Sequence, residues 1–193
     1  DLQRALKACR ACPLWCDATQ AVPGEGVTDA PLLALVGEQP GDQEDLAGRP
    51  FVGPAGKVLD RALAAAGIAR AEIFVTNAVK HFKHEPRGKR RLHKRPERGE
   101  LEMCRWWVRH ELDLVKPKLV VALGATAVQS LSMYGGALSV MRGAALETRE
   151  GLKMRATVHP SYLLRLPEEA AQDAEFARFV DDLKAAKAAA RKL

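Results

Sequence analysis

The sequence lacks the features that would place the chain in a membrane or divide it into parts. No apolar run approaches the roughly 20 residues of a membrane-spanning helix. No charged segment followed by an apolar one stands at its start, so we expect a cytoplasmic protein without a membrane partner. There is no repeat and no linker-like stretch, and 47% of the 193 residues are hydrophobic. We therefore predict a single domain, residues 1–193, that acts as a monomer.

Short apolar runs alternate with helical patterns along the chain. Strands are predicted at 32–37, 72–76, 118–123 and 154–158, with two weaker ones near 139–148. Helices are predicted at 2–12, 55–66, 97–115, 125–133 and 168–192. The alternation predicts an α/β fold, a three-layer sandwich with a central four-stranded parallel sheet flanked by helices. The loops after Val36, Thr76 and Val158 would then meet at one sheet edge, where α/β proteins place ligands.

The loop after the first buried strand has an unusual composition. Residues 37–53 read GEQPGDQEDLAGRPFVG, with several carboxylates, one side-chain amide at position 39 and one ring, Phe51. The loop has no Lys, and Arg49 is its single Arg, so it would bind phosphate poorly. Its composition suits the binding of a flat polar molecule and a water. The alternative is an ordinary surface turn.

The excess positive charge lies in one segment. Residues 80–98 contain nine Lys or Arg and two Glu, a net charge of +7, whereas the whole chain carries +6. Such a concentration is typical of a surface that contacts phosphates, although a solvated loop would have the same composition. Because residues 79–98 show no apolar periodicity, we predict a long basic loop without regular secondary structure.

Cysteine is scarce, but its spacing is informative. Cys9, Cys12 and Cys16 fall within eight residues, and Cys104 stands alone. In a cytosolic chain a C-x2-C pair is more often a metal or redox site than a disulfide. Zinc would need a second pair, which the sequence lacks, although histidines could contribute. An iron–sulfur cluster tolerates dispersed ligands. Iron–sulfur, zinc and unligated thiols all remain open at this point.

Four motifs in order give the chain a recognisable pattern. They are CRACPL at 9–14, GEQPG at 37–41, TNAVK at 76–80 and HPS at 159–161. From Cys9 to about Leu164 the chain resembles the uracil-DNA glycosylase superfamily, in the branch that carries an iron–sulfur cluster (family four and its relatives). The resemblance implies a 4Fe-4S cluster with ligands Cys9, Cys12, His81 and Cys104. His81 stands where the family has cysteine, and Cys16 could replace the missing thiol.

Two departures from the family pattern narrow the resemblance. Gln39 occupies the alanine position of the usual GEAPG, and an extra basic stretch reads KRRLH from Lys89 to His93. Together they resemble the X-type uracil-DNA glycosylases (UdgX). In that group the protein excises uracil and then becomes covalently attached to the abasic sugar through the histidine of this motif. The resemblance therefore implies that His93 is a nucleophile.

The resemblance also implies how uracil is bound. Phe51 would stack on the base, and the amide of Asn77 would bond to its pyrimidine edge. His159, in the HPS motif with Ser161, would donate to O2 and stabilise the uracil anion as the glycosidic bond breaks. The base must reach this pocket from single-stranded DNA, or be flipped out of a duplex.

Other residues would act on the sugar or contact the DNA backbone. Glu38, Gln39 and Asp42 could orient a water, position the sugar or tune His93, and the resemblance does not divide these roles. Arg91, in the basic stretch, is predicted to contact DNA.

Two alternatives stay open. One is a conventional glycosylase that hydrolyses the bond with an activated water and turns over. The other is a non-catalytic nucleic-acid-binding module that uses the basic segment. The acids and the ring of residues 37–53 argue against the second alternative, because phosphate binding gains nothing from them.

Overall fold

The structure is a computed structural model and describes residues 2–193. Its strands are β1 Glu25–Gly26, β2 Leu33–Gly37, β3 Phe74–Asn77, β4 His84–Arg87, β5 Arg90–His93, β6 Leu119–Leu123, β7 Leu146–Glu147 and β8 Lys153–Thr157. Its α-helices are α1 Leu2–Lys7, α2 Asp42–Ala47, α3 Pro54–Ala65, α4 Arg98–Val115, α5 Ala125–Leu131, α6 Leu138–Met141, α7 Pro160–Leu163 and α8 Glu169–Ala190. Short 3-10 helices cover Pro13–Cys16 and Arg70–Glu72. Within residues 2–193, none of the helices is long and apolar enough to span a bilayer.

A six-stranded sheet forms the centre of the protein, in the order β1-β3-β2-β6-β8-β7. The four central strands pair in parallel, and the short strands β1 and β7 add antiparallel edges. The predicted α/β sandwich around four parallel strands is therefore confirmed, with two edge strands in addition.

Alternate residues of the central strands belong to different cores. In β2, Ala34 and Val36 pack in one cluster with apolar residues of α4 and α5. Leu33 and Leu35 pack in a second cluster with residues of α3 and α8. Because helices cover both faces, β2 and β6 are buried at every position, which explains their continuous apolar sequence.

The basic segment differs from its prediction. Instead of a loop without regular structure, residues 84–93 form an antiparallel hairpin of β4 and β5 that is separate from the main sheet. Its turn contains Gly88 with φ of +60°, a conformation that glycine adopts without steric cost. The strands show no apolar alternation because the hairpin adds nothing to either core, so periodicity could not reveal it.

Three smaller predictions also fail. The first helix ends at Lys7 rather than at position 12. Helix α2 occupies part of the predicted loop at residues 37–53, and the acidic residues at its amino-terminal end favour a helix start. The segment 138–141 is helical, and only Leu146–Glu147 forms a strand in the region 139–148.

Candidate active site

A cleft of about 1180 Å³ opens at the carboxyl ends of the parallel strands. Glu38 and Gln39 follow β2, Asn77 ends β3, and His159 follows β8. His93, from the end of the hairpin, lines the same cleft. The residues at the strand ends therefore meet at one sheet edge, as parallel topology requires, and the separate hairpin brings His93 to the same place.

Two rings form one wall of the cleft. The rings of Phe51 and His159 lie with centroids 5.9 Å apart and an interplanar angle of 29°. Phe51 has φ of +54°, a left-handed conformation that costs a non-glycine residue about 1–2 kcal/mol. Glu44 offsets this cost by accepting hydrogen bonds from the two following amides at 2.9 and 2.6 Å. Arg70 donates to the carbonyl oxygen of Phe51 at 3.2 Å and to that of the preceding residue at 2.9 Å.

Asn77 contributes an unsatisfied acceptor. Its side chain is buried, and within the described chain its Oδ1 atom has no hydrogen-bond partner. A Cβ on Gly37 would lie 2.4 Å from this oxygen and 2.6 Å from the Phe51 ring, so only glycine fits between them. Because buried polar atoms are almost always paired, this oxygen indicates a position for a ligand hydrogen-bond donor.

The tautomer of His159 follows from its neighbours. Its Nδ1 accepts a hydrogen bond from the backbone N–H of Ser161 at 3.2 Å, so the proton of the neutral ring lies on Nε2. Burial, together with the nearby positive charge of Arg165, lowers the pKa of His159 to about 4. At neutral pH this side chain is therefore an uncharged donor, fixed in orientation by Ser161.

Gln39 fixes the base of the hairpin. Its Nε2 donates to the carbonyl oxygens of Lys83 (3.1 Å) and Lys94 (3.0 Å), and its Oε1 accepts from the amide of Lys83 (3.1 Å). These two residues are themselves bonded across the hairpin, Lys94 N–H to Lys83 O at 2.9 Å. Alanine at position 39 could make none of these bonds.

Arg91 fixes the middle of the hairpin. Its guanidinium lies 2.6 Å from a carboxylate oxygen of Asp42 and 2.6 Å from one of the fully buried Asp45. Both carboxylates hold Arg91 against the protein, and a contact between Arg91 and DNA stays a prediction. The exposed cations of the hairpin tip are Arg87, Lys89 and Arg90.

His93 and Glu38 meet inside the cleft. Nε2 of His93 lies 3.4 Å from Oε1 of Glu38. Burial lowers the pKa of His93, while the Glu38 carboxylate opposes this and Arg165 adds to it. The other carboxylate oxygen, Oε2, accepts a hydrogen bond from the hydroxyl of Thr126. The imidazole at neutral pH is thus predominantly uncharged and has a carboxylate beside it.

Three cysteines gather on the α4 side of the sheet. Cys12 and Cys104 are buried in the same apolar cluster, and Cys9 is half-buried. Burial, with smaller contributions from Cys12 and Cys9, raises the pKa of Cys104 to about 12. His81 is buried, and burial lowers its pKa, which keeps the ring in the neutral form that metals bind. Cys16 is exposed.

Two N–H groups already point at these sulfurs. Trp107 Nε1 donates to Cys9 Sγ at 3.1 Å, and the amide of Lys80 donates to Cys104 Sγ at 3.2 Å. Among residues 2–193 no three His, Cys, Asp or Glu side chains lie close enough to share one metal ion. A cluster makes no such demand, because its ligands bind separate atoms.

A buried ion pair contacts the backbone of Asn77. Lys80 Nζ lies 2.6 Å from Oε2 of Glu111, and both side chains are almost fully buried. The same ammonium donates to the hydroxyl of Thr76 at 2.6 Å and to the backbone carbonyl of Asn77 at 2.8 Å. Sequence reasoning assigned no role to Lys80 or Glu111, because the pairing spans 31 residues.

The comparison with known families agrees with this geometry. The sequence model of the "Uracil DNA glycosylase superfamily" matches residues 23–184. The chain belongs to this superfamily.

The curated relatives of this superfamily member include three type-4 uracil-DNA glycosylases. The chain is 39% identical over 162 residues to that of Thermotoga maritima, a match that covers 83% of the chain and 80% of the relative. It is 36% identical over 177 residues to that of Pyrobaculum aerophilum, with 86% of each chain covered. It is 34% identical over 175 residues to that of Archaeoglobus fulgidus, with 87% and 84% covered.

Eight residues predicted from the sequence line the cleft of this superfamily member: Glu38, Gln39, Asp42, Phe51, Asn77, His93, His159 and Ser161. The residues that sequence reasoning missed are those that hold them in place, among them Glu44, Arg70 and Thr126. The one local signal for any of these was the position of Glu44, three residues after the N-cap Gly41, whose amide donates to the Glu44 carboxylate at 3.1 Å.

Proposed function

We propose that this protein excises uracil from DNA and is then captured on the abasic sugar through His93, as in the X-type glycosylases. The observation that carries the proposal is the contact between His93 and Glu38 in the same cleft as Asn77 and His159. The names of the type-4 relatives support uracil as the base. We further propose that the chain acts as a single cytoplasmic domain and as a monomer.

The base would bind between three groups. Oδ1 of Asn77 would accept the N3–H of uracil, and the amide N–H of the same side chain would donate to O4. The Phe51 ring would provide the stacking surface. Stacking alone does not select uracil, because thymine and cytosine also stack. Selection against cytosine comes from the N3–H of uracil, which cytosine lacks.

Bond cleavage would then depend on His159. As the C1′–N1 bond breaks, its electron pair moves to uracil, and negative charge develops on O2. The Nε2–H of neutral His159 would donate to that oxygen. A preorganised donor of this kind contributes on the order of 3 kcal/mol to the transition state. The sugar left behind has oxocarbenium character at C1′.

His93 would capture the cation. A lone pair on a ring nitrogen forms a bond to C1′, and the remaining ring proton leaves through Glu38 and is finally taken up by the uracil anion. The products are free uracil and a protein joined to DNA by a C–N bond. The exposed cations of the hairpin tip would hold the DNA backbone near this residue.

The cysteines gathered beside α4 fit an iron–sulfur cluster. We propose Cys9, Cys12, Cys104 and His81 as its ligands, since the first three are neighbours and His81 is a buried neutral imidazole next to Lys80. The cluster would join the amino-terminal segment to α4, and the N–H groups that donate to two of the sulfurs would tune its potential. Iron and sulfide analysis of wild-type and Cys104→Ser protein tests this. One zinc per chain, or an iron and sulfide content in Cys104→Ser equal to that of the wild type, would contradict these ligands.

Denaturing electrophoresis with uracil-containing single-stranded DNA tests capture. Wild-type protein should give a band of protein joined to DNA, and His93→Ala should not, while uracil release continues. His84→Ala is a matched control, because His84 pairs with His93 across the hairpin. Thymine-containing DNA should give no band.

The outcomes separate the alternatives. Uracil release without a band from wild-type protein would identify a conventional hydrolase. Binding without release would identify a nucleic-acid-binding module. If His93→Ala forms the adduct as well as the wild-type protein does, His93 only contacts the DNA and is not the nucleophile.

A further inference from the structure

The carboxylate of Glu38 is held at both oxygens. Oε1 faces Nε2 of His93 at 3.4 Å, and Oε2 accepts the hydroxyl proton of Thr126. Arg95 donates to the same hydroxyl oxygen at 3.2 Å, so Thr126 acts both as donor and as acceptor. The contacts form a continuous chain of side chains: Arg95, Thr126, Glu38, His93.

Thr126 belongs to the rigid part of the protein. It lies in the first turn of α5, directly after the central strand β6, and only 4% of it is exposed. The other members of the chain are more exposed, and two of them, His93 and Arg95, are carried by the hairpin and the segment after it. The position of Glu38 is therefore set by the sheet and α5 rather than by the hairpin.

We propose that Thr126 is a positioning residue that keeps Glu38 against His93 and thereby favours capture by His93 over attack by water. The proposal rests on the proposed function. A Glu side chain fixed at one oxygen has one orientation in which it can accept the imidazole proton. Without the hydroxyl, the carboxylate can rotate and orient a water instead.

The two outcomes differ in the bond formed at C1′. In capture, the His93 nitrogen bonds to C1′ and the imidazole proton goes to the uracil anion. In hydrolysis, the water oxygen bonds to C1′ and a water proton goes to the uracil anion. In both, the C1′–N1 bond breaks and its electron pair leaves with uracil. Glu38 can accept the proton in either reaction, so its orientation decides between them.

The test is the ratio of protein–DNA adduct to free abasic DNA after mixing with uracil-containing single-stranded DNA. Thr126→Val, which keeps the shape and removes the hydroxyl, should lower this ratio at least tenfold, and Thr126→Ser should restore it. Because the ratio counts only chains that have released uracil, a partly unfolded variant does not change it. If Thr126→Val fails to fold, Thr126→Ala gives the same comparison.

Ser130→Ala is the matched control. Ser130 lies one turn later in α5, is buried, and has a hydroxyl oxygen with no partner within the described residues, so its loss should leave the ratio unchanged. A wild-type ratio in both Thr126→Val and Thr126→Ala would overturn the proposal. Absence of any adduct from wild-type protein would instead overturn the proposed function.

Discussion

Replacing Gln39 by alanine should release the hairpin that carries His93. The Gln39 side chain makes three hydrogen bonds to the two ends of the hairpin, at 3.0 to 3.1 Å. An isolated two-stranded hairpin is marginally stable at best, so its position depends on such contacts. Other contacts of the hairpin remain in the variant, among them the two ion pairs of Arg91 and the packing of Phe82 against His84.

The size of the effect follows from the bonds lost. A hydrogen bond contributes about 1 kcal/mol net, so three contribute about 3 kcal/mol to the docked state. That free energy corresponds to roughly a hundredfold change in the ratio of docked to open hairpin. The main sheet should keep its stability, because the hairpin packs in neither apolar cluster.

Amide hydrogen exchange measures this opening directly. In Gln39→Ala, the Lys94 amide, which donates to Lys83, should exchange about a hundredfold faster, while amides of β2 and β6 keep their protection. Adduct formation should slow along with it, because His93 leaves Glu38 more often. Gln129→Ala, an exposed glutamine on α5, is the control. Unchanged exchange in Gln39→Ala would show that the hairpin is held by other contacts.

Three further predictions concern the base pocket and its support. Asn77→Ala should slow uracil release about 30-fold, which corresponds to about 2 kcal/mol, because the N3–H and O4 of bound uracil lose their partners. Single-turnover kinetics that match the wild type would show that Asn77 does not bind the base. Lys80→Met should lower the free energy of unfolding by about 3–5 kcal/mol because it leaves Glu111 charged and buried, and urea denaturation should show that the added change Glu111→Leu recovers part of it. His159 should lower the free energy of unfolding by about 3 kcal/mol as the pH drops from about 6.5 to 4. In this range the unfolded histidine binds a proton, whereas the folded one, with its pKa lowered to about 4, does not. Urea titrations should find this pH dependence reduced in His159→Asn, and an equal dependence would show that His159 has the same pKa in the folded and unfolded protein.

Much of the fold follows from the sequence because the relevant signals are local. Continuous apolar runs indicate strands buried on both faces, and their alternation with helices dictates parallel pairing. Parallel pairing brings the ends of β2, β3 and β8 to one edge, so the cleft could be located before any side chain was placed. The motifs supplied the residues, since Glu38 directly follows β2, Asn77 ends β3, and His159 lies two residues after β8.

What the tertiary structure decided are the contacts between residues distant in sequence. Gln39 bonds to Lys94, 55 residues away, and Thr126 to Glu38, 88 residues away. The same applies to Arg91, which is paired with Asp45, 46 residues away. Composition reports that a cation is present, whereas its partner depends on which segments fold together. The sequence by itself therefore determined which groups are available for chemistry, and the tertiary structure decided which of them face the substrate and which hold the others in place.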